Sequence, residues 1–202
     1  MTGVERVQGV TGLVLAAGLG RRFDPSGRQL KLLAPMADGV TVLRRVCETA
    51  LEVLDEVVVV CDVHETELRQ ELDGLALRFV RAEQAARGMG VTVKAGVQAS
   101  SPACGWLVLL ADMPWVQART LAALAGALRQ GAGLVRPTVD GQPGNPVGFG
   151  VGWRRELLAL PDAEGARGLL QAHSQDTAWV AVTDAGVLRD VDVPADLDPS
   201  LS

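Results

Sequence analysis

Hydrophobic positions along the chain follow two rhythms. Short runs rich in valine and leucine recur at 10–16 (VTGLVLA), 56–61 (EVVVVC), 77–80, 106–111 (WLVLLA), 134–138 and 179–182. A run that is apolar on both faces suits a strand covered by helices on each side. Between these runs, apolar residues return every three or four positions. Val42, Val46, Ala50 and Val53 make one such stripe within 42–54, and Leu121, Leu124, Ala125 and Leu128 make another within 118–129. Segments 65–72, 91–99, 153–160 and 166–172 also read as helices. Strands alternating with helices at this period predict an α/β fold with three layers, α/β/α, around a mostly parallel sheet. Crossovers in such a sheet are right-handed. The DGQPGN cluster at 140–145 reads as a turn, not a boundary. With no internal repeat or linker, 1–202 is expected to be one domain.

Composition narrows the function classes. The 202 residues are 48% hydrophobic and 21% charged, with a formal net charge of −5. That is too apolar for disorder, and a chain of this length needs no disulfide or metal staple to fold. An acidic chain without tyrosine and with 3% aromatics is a poor nucleic-acid binder, whether by bulk charge or by stacking. No stretch of 18 apolar residues predicts a membrane span. The first nine residues lack a signal-peptide layout. The three cysteines, Cys47, Cys61 and Cys104, follow no zinc or redox spacing and read as thiols in a reducing compartment. The cytoplasm is the expected location. His64 and His173 form no ligand pair. Lysine is scarce: Lys31 and Lys94 stand against 17 arginines.

Ligands of open α/β sheets bind beyond the carboxyl ends of the strands. The first strand runs there into Leu15-Ala16-Ala17-Gly18-Leu19-Gly20-Arg21-Arg22-Phe23. Gly18 and Gly20 permit a sharp turn and close approach to a ligand, and amides in such a loop cradle phosphate oxygens. The loop is not a GxxxxGK[ST] phosphate loop. It also departs from the dinucleotide fingerprint GxGxxG, with Phe23 at the third glycine. By itself, G-x-G after a strand fits a tight turn as well as a nucleotide cradle. The fourth strand runs into Asp112-Met113-Pro114, which sets a hard oxygen ligand of the kind Mg²⁺ prefers at the same edge.

The longer string LAAGLGRRFDPSGRQLKLLAP resembles the signature L-A-[AG]-G-x-x-x-R-[FM]-G…K of the molybdenum cofactor cytidylyltransferase (MobA/MocA-like) family of nucleotidyltransferases and their sugar-phosphate relatives. In this chain DPSGRQ, at 24–29, replaces the family's short spacer before Lys31. Leu110-Ala111-Asp112-Met113-Pro114 resembles the family's L-x-D-x-P, and Asp190-Val191-Asp192-Val193-Pro194-Ala195-Asp196 its D-[IV]-D-T-P-E-D. Gly88-Met89-Gly90-Val91-Thr92-Val93 is similar to the G-M-G-x-S-L turn of the cytidylyl branch. Gly144-Asn145-Pro146 resembles the segment facing the acceptor, and Gly165-Ala166-Arg167 a second acceptor segment.

The resemblance implies a nucleotide-diphospho-sugar-transferase-like domain that transfers CMP from CTP to molybdopterin or molybdenum cofactor, with release of pyrophosphate. Leu15, Ala16, Ala17, Gly18, Gly20, Arg21, Gly88, Met89 and Gly90 would bind the nucleotide, and Arg22 and Lys31 its phosphates. Asp112 and Asp192 would hold Mg²⁺ or Mn²⁺, with Lys31, Arg22 and Asp112 acting in catalysis. An N-cap role for Asp192 before Pro194 stands beside the metal role. Gly144, Asn145, Pro146 and Arg167 would face the acceptor; for Arg167 an exposed helix start fits equally. Pyrimidine choice is implied by Ala17, where the guanylyl branch has glycine. A molybdoenzyme would be a transient partner. Transfer to another small phosphate, NAD(P)H-dependent oxidoreduction on the same fold, and non-catalytic delivery of cofactor are the alternatives.

Overall fold

A computed structural model of the chain describes residues 6–197 except 19, 21 and 27. Among the described residues, eight strands join in one sheet: β1 (Val7–Leu15), β2 (Leu54–Cys61), β3 (Arg78–Arg81), β4 (Gly105–Leu110), β5 (Leu134–Val139), β6 (Gln142–Pro143), β7 (Val147–Gly150) and β8 (Thr177–Ala181). Their order is β3-β2-β1-β4-β7-β5-β6, with β8 along the other side of β5. The pairs β1–β2, β1–β4, β2–β3 and β5–β8 are parallel. The sheet is thus mixed and mostly parallel, in the α/β/α arrangement expected from the sequence.

Alternation along the strands divides the core in two. Val57, Val59, Leu107 and Leu109 point into one cluster, shared with Val46, Ala50, Leu121 and Leu124. These come from α1 (Val42–Val53) and α4 (Ala118–Arg129). Val58, Val60, Trp106 and Val108 point into the other, shared with Val93 and Val97 of α3 (Met89–Ala99). Each fully buried valine or leucine contributes roughly 1.5–3 kcal/mol of transfer free energy, so the runs apolar on both faces are the structural cause of the layering. The stripe 42–54 becomes α1, capped by the Thr41 hydroxyl, which accepts from the Arg44 amide. Helix α2 (Glu65–Glu71) covers the edge near β3.

Four differences from the sequence reading stand out. Residues 147–150, which the sequence pattern assigns to no strand, form β7, antiparallel to both β4 and β5. Gly148 and Gly150 hid this strand, since glycine weakens the strand pattern. The 140–145 turn cluster contains the two residues of β6. Helix α3 starts at Met89 rather than 91, because Gly88 (φ +138°) makes the turn itself. Segment 153–160 resolves into a 3₁₀ turn and the short α5 (Arg154–Leu158); α6 (Arg167–Ala172) follows. Among the described residues, no helix is long and apolar enough to cross a membrane.

Candidate active site

Strands β1 and β4 lie side by side and end together, at Leu15 and Leu110. The Ala111 amide still reaches the Leu15 carbonyl (3.3 Å) before the chains diverge. Strand order turns outward here, toward β2 on one side and β7 on the other, which is the switch point where α/β sheets open a crevice. A cleft of about 540 Å³ lies there. One wall is Leu15, Ala17, Gly18 and Gly20. The opposite wall is Ala85, Ala86, Gly88, Met89 and Thr92, and Arg22, Lys31, Asp112 and Asp192 stand at its charged end.

Two described amides of the first loop stay open. The amide of Ala16 continues the sheet by donating to the Val60 carbonyl (2.8 Å). Those of Ala17 and Gly18 donate to nothing among the described residues. Beyond them, Phe23 is buried and anchors the loop. The Asp24 carboxylate then gathers the amides of Ser26, Arg28 and Gln29 and the Ser26 hydroxyl. These bonds, the Ser26 side chain first, hold its carboxyl down to about 2. The DPSGRQ insertion is therefore a self-stapled turn, and it returns the chain to a 3₁₀ turn (Lys31–Leu33) with Lys31 at the cleft.

Lys31 Nζ lies 2.6 Å from Asp112 Oδ2 and 3.8 Å from Asp192 Oδ1. Its side chain is only 13% exposed, so this contact is less screened than a surface pair. The Arg22 guanidinium pairs with the other oxygen of Asp192. Asp192 thus faces the cleft, not the Pro194–Leu197 turn. The amides of Asp192 and Val193 are instead gathered by Asp196, whose carboxyl they pull below its usual range. The Val191 amide donates to the Asp112 carbonyl (2.8 Å), which ties the acidic segment to the end of β4.

Asp190 was missed as a site residue, although it lies in the same acidic string. Ligand oxygens of Asp112, Asp190 and Asp192 all fall within 4.8 Å of one another. Desolvation, then the charges of Asp192 and Asp112, push the Asp190 carboxyl above its ordinary range. Three hard oxygen donors with excess negative charge fit Mg²⁺ or Mn²⁺.

The other wall is built by close packing. A Cβ on Gly90 would stand 2.0 Å from the Pro161 carbonyl oxygen, so only glycine allows the 161–163 backbone to lie on the first turn of α3. The Gly90 amide is spent on the Asp162 carbonyl (2.9 Å). Thr92, Ala85 and Ala86 line the cleft although none was singled out as a site residue; Thr92 stands where the resembling motif has serine.

The structure therefore gathers Leu15, Ala17, Gly18, Gly20, Arg22, Lys31, Gly88, Met89, Asp112 and Asp192 around one cleft. Ala16 is buried beneath it, and Gly90 supports the wall from behind. Arg21 lies outside the described residues. Gly144, Asn145 and Pro146 precede β7, whose first residue, Val147, pairs with Val108. None of the three lines the cleft: the Asn145 amide holds the Val187 carbonyl (2.8 Å), and Pro146 borders a small void with Leu109, Leu110 and Met113. Arg167 is exposed at the start of α6 and does not line the cleft.

Comparison with known proteins places this geometry. The family model of the MobA-like NTP transferase domain matches residues 12–177. The bifunctional protein GlmU of Psychrobacter sp. strain PRwf-1 is 30% identical over 184 residues, covering 89% of this chain and 39% of the relative. This chain spans well under half the length of the curated GlmU relatives it matches. Among solved structures, the homologue of Mycobacterium tuberculosis Rv0371c from Mycobacterium sp. strain JC1 is 28% identical, with a TM-score of 0.74 over 93% of this chain and 92% of that one. The structure of Rv0371c from M. tuberculosis H37Rv in complex with manganese is 23% identical, with a TM-score of 0.67 over 96% and 95% of the two chains.

Proposed function

The chain belongs to the MobA-like NTP transferase family, and from that premise we propose that it is a nucleotidyltransferase moving CMP from CTP to a molybdopterin-type phosphate, with release of pyrophosphate. The observation that carries this reading is the single cleft in which an open-amide glycine loop, Lys31, Arg22 and a trio of carboxylates converge. Such chemistry needs positioning and charge neutralisation more than a general base. The site offers that combination, and among the described residues no histidine, serine or cysteine lines it.

In this reading a phosphate oxygen of the acceptor attacks the α-phosphorus of the nucleotide. A new P–O bond forms as the bond to the bridging oxygen breaks, and pyrophosphate leaves with that electron pair. The free amides of Ala17 and Gly18 hold phosphate oxygens. Lys31 and Arg22 stabilise negative charge as it shifts to the leaving pyrophosphate. Asp112, Asp192 and Asp190 would hold Mg²⁺ or Mn²⁺, which supplies further charge neutralisation on the phosphates when bound. Ala85, Ala86, Met89 and Thr92 bound the space left for base and ribose. The acceptor role of Gly144, Asn145 and Pro146 rests on the resemblance of their segment. The choice of CTP rests on Ala17, and the choice of pterin acceptor on the string 15–35.

The test is pyrophosphate release with each of the four NTPs, with molybdopterin or with sugar and polyol phosphates as acceptors, in Mg²⁺ and in Mn²⁺. CTP with molybdopterin is expected to be the productive pair. Turnover with another NTP or acceptor would overturn the specific assignment, and no release with any pair would overturn nucleotidyl transfer itself.

A further inference from the structure

The loop after α5 is fastened to the first turns of α3 by a three-residue ionic clasp. One carboxylate oxygen of Asp162 accepts from Lys94 Nζ, and the other lies 2.5 Å from the Arg87 guanidinium. Lys94 Nζ also reaches the Leu160 carbonyl (3.1 Å), while the Asp162 carbonyl takes the Gly90 amide. The two backbones touch so closely that a Cβ on Gly88 would stand 2.3 Å from the Asp162 carbonyl oxygen. In a chain with two lysines, one faces the cleft and the other is spent on this clasp. The Asp162 carboxyl is held below its usual range, first by the bond from Lys94 and, against desolvation, by the charges of Arg87 and Lys94.

The clasp lies between two parts of the site. On one side, Arg87 and α3 lead into the cleft wall of Ala85, Gly88, Met89 and Thr92. On the other, the loop continues through Gly165, where a Cβ would stand 3.2 Å from the Met89 side chain, to Arg167 at the head of α6. None of the three clasp side chains lines the cleft.

We propose that Asp162 is a positioning residue for the transfer reaction: through Lys94 and Arg87 it holds the nucleotide wall on α3 in register with the loop leading to Arg167. The inference rests on the nucleotidyl-transfer reading. Without the carboxylate every group lining the cleft is still present, but the wall is no longer pinned. Ground-state binding of the nucleotide then suffers more than the chemical step.

The experiment compares wild type, Asp162→Asn, Asp162→Glu, Lys94→Met and the double variant Asp162→Asn/Lys94→Met. Magnesium CTP affinity is measured by calorimetry without acceptor, and kcat and KM by pyrophosphate release with the best acceptor found. Asp162→Asn and Lys94→Met are each expected to raise Kd and KM for the nucleotide about tenfold, with kcat within about twofold. The double variant should be little worse than either single one, because both remove the same contact. Asp162→Glu should recover part of the loss. Nucleotide KM unchanged in Asp162→Asn, a fall in kcat alone, or fully additive losses would each overturn the proposal. Wild type that neither binds nor turns over any NTP would instead sink the nucleotidyl-transfer reading, and this inference with it.

Discussion

Lys31 Nζ stands 2.6 Å from Asp112 Oδ2 and 3.8 Å from Asp192 Oδ1, so one ammonium already occupies the space between two of the carboxylates proposed to hold a divalent ion. A metal arriving alone must compete with it, whereas a polyphosphate offers the ammonium another partner. Mn²⁺ alone is therefore expected to bind weakly to wild type, and about tenfold more tightly to Lys31→Met. The same substitution should raise the nucleotide KM and lower kcat. Electron paramagnetic resonance titration of free Mn²⁺ reads the first effect; an unchanged Mn²⁺ affinity would show that the ammonium does not guard these carboxylates.

Asp112→Asn separates chemistry from folding. Among the described residues its carboxylate bonds to Lys31 alone, and the backbone carbonyl that receives the Val191 amide is untouched by the change. Turnover should fall by roughly 10²–10³-fold, the scale of losing one preorganised charge contact, while the thermal midpoint stays close to wild type. Steady-state kinetics beside a melting curve decide it. Wild-type kcat would remove Asp112 from the reaction.

Gly90→Ala attacks the wall from behind. The added methyl would sit 2.0 Å from the Pro161 carbonyl oxygen and 2.9 Å from its carbon, both backbone atoms that have little room to give. Overpacking of this kind costs about 1–3 kcal/mol or more. A denaturant midpoint equal to wild type would contradict the close approach seen between 161–163 and α3.

The Asp24 staple gives a pH signature. Its carboxyl is depressed from 3.8 to about 2, chiefly by the Ser26 side chain. A depressed carboxylate stabilises the fold above its unfolded value, and that contribution disappears as pH falls through the folded value. Asp24→Asn should therefore melt below wild type at pH 7, and the gap should close between about pH 4 and 2. Melting curves across that range check it; a gap that persists at pH 2 would mean the staple does not act through charge.

The layered fold was legible because its cause is periodic. Residues such as Val57–Cys61 alternate between two cores, and both cores demand apolar side chains. The rim residues Gly18, Lys31 and Asp112 were legible because strand ends, glycines and isolated charges mark a crevice directly. Strand β7 was not, since its four residues include two glycines, and the space beside Gly148 is filled by Leu128 of α4 and Val135 of β5. The clasp of Asp162 with Lys94 was also invisible. The two residues are 68 positions apart, and each alone reads as a solvated surface charge. Asp190 was overlooked for the opposite reason: it lay in a string already noticed, but spacing alone did not reveal which of its aspartates share a point in space.

The bond from the Val191 amide to the Asp112 carbonyl makes the carboxylate trio a composite of two distant stretches of chain. The sheet supplies one anion. A strap laid across its edge after the last strand supplies the other two, and it contributes no strand to the sheet. Grip on an ion and integrity of the scaffold are therefore joined in this strap, because Val187 and Val191, which flank and carry the acidic string, are wholly buried in the interior layer. Exchanging the strap between relatives would retune ion preference only together with the packing beneath it.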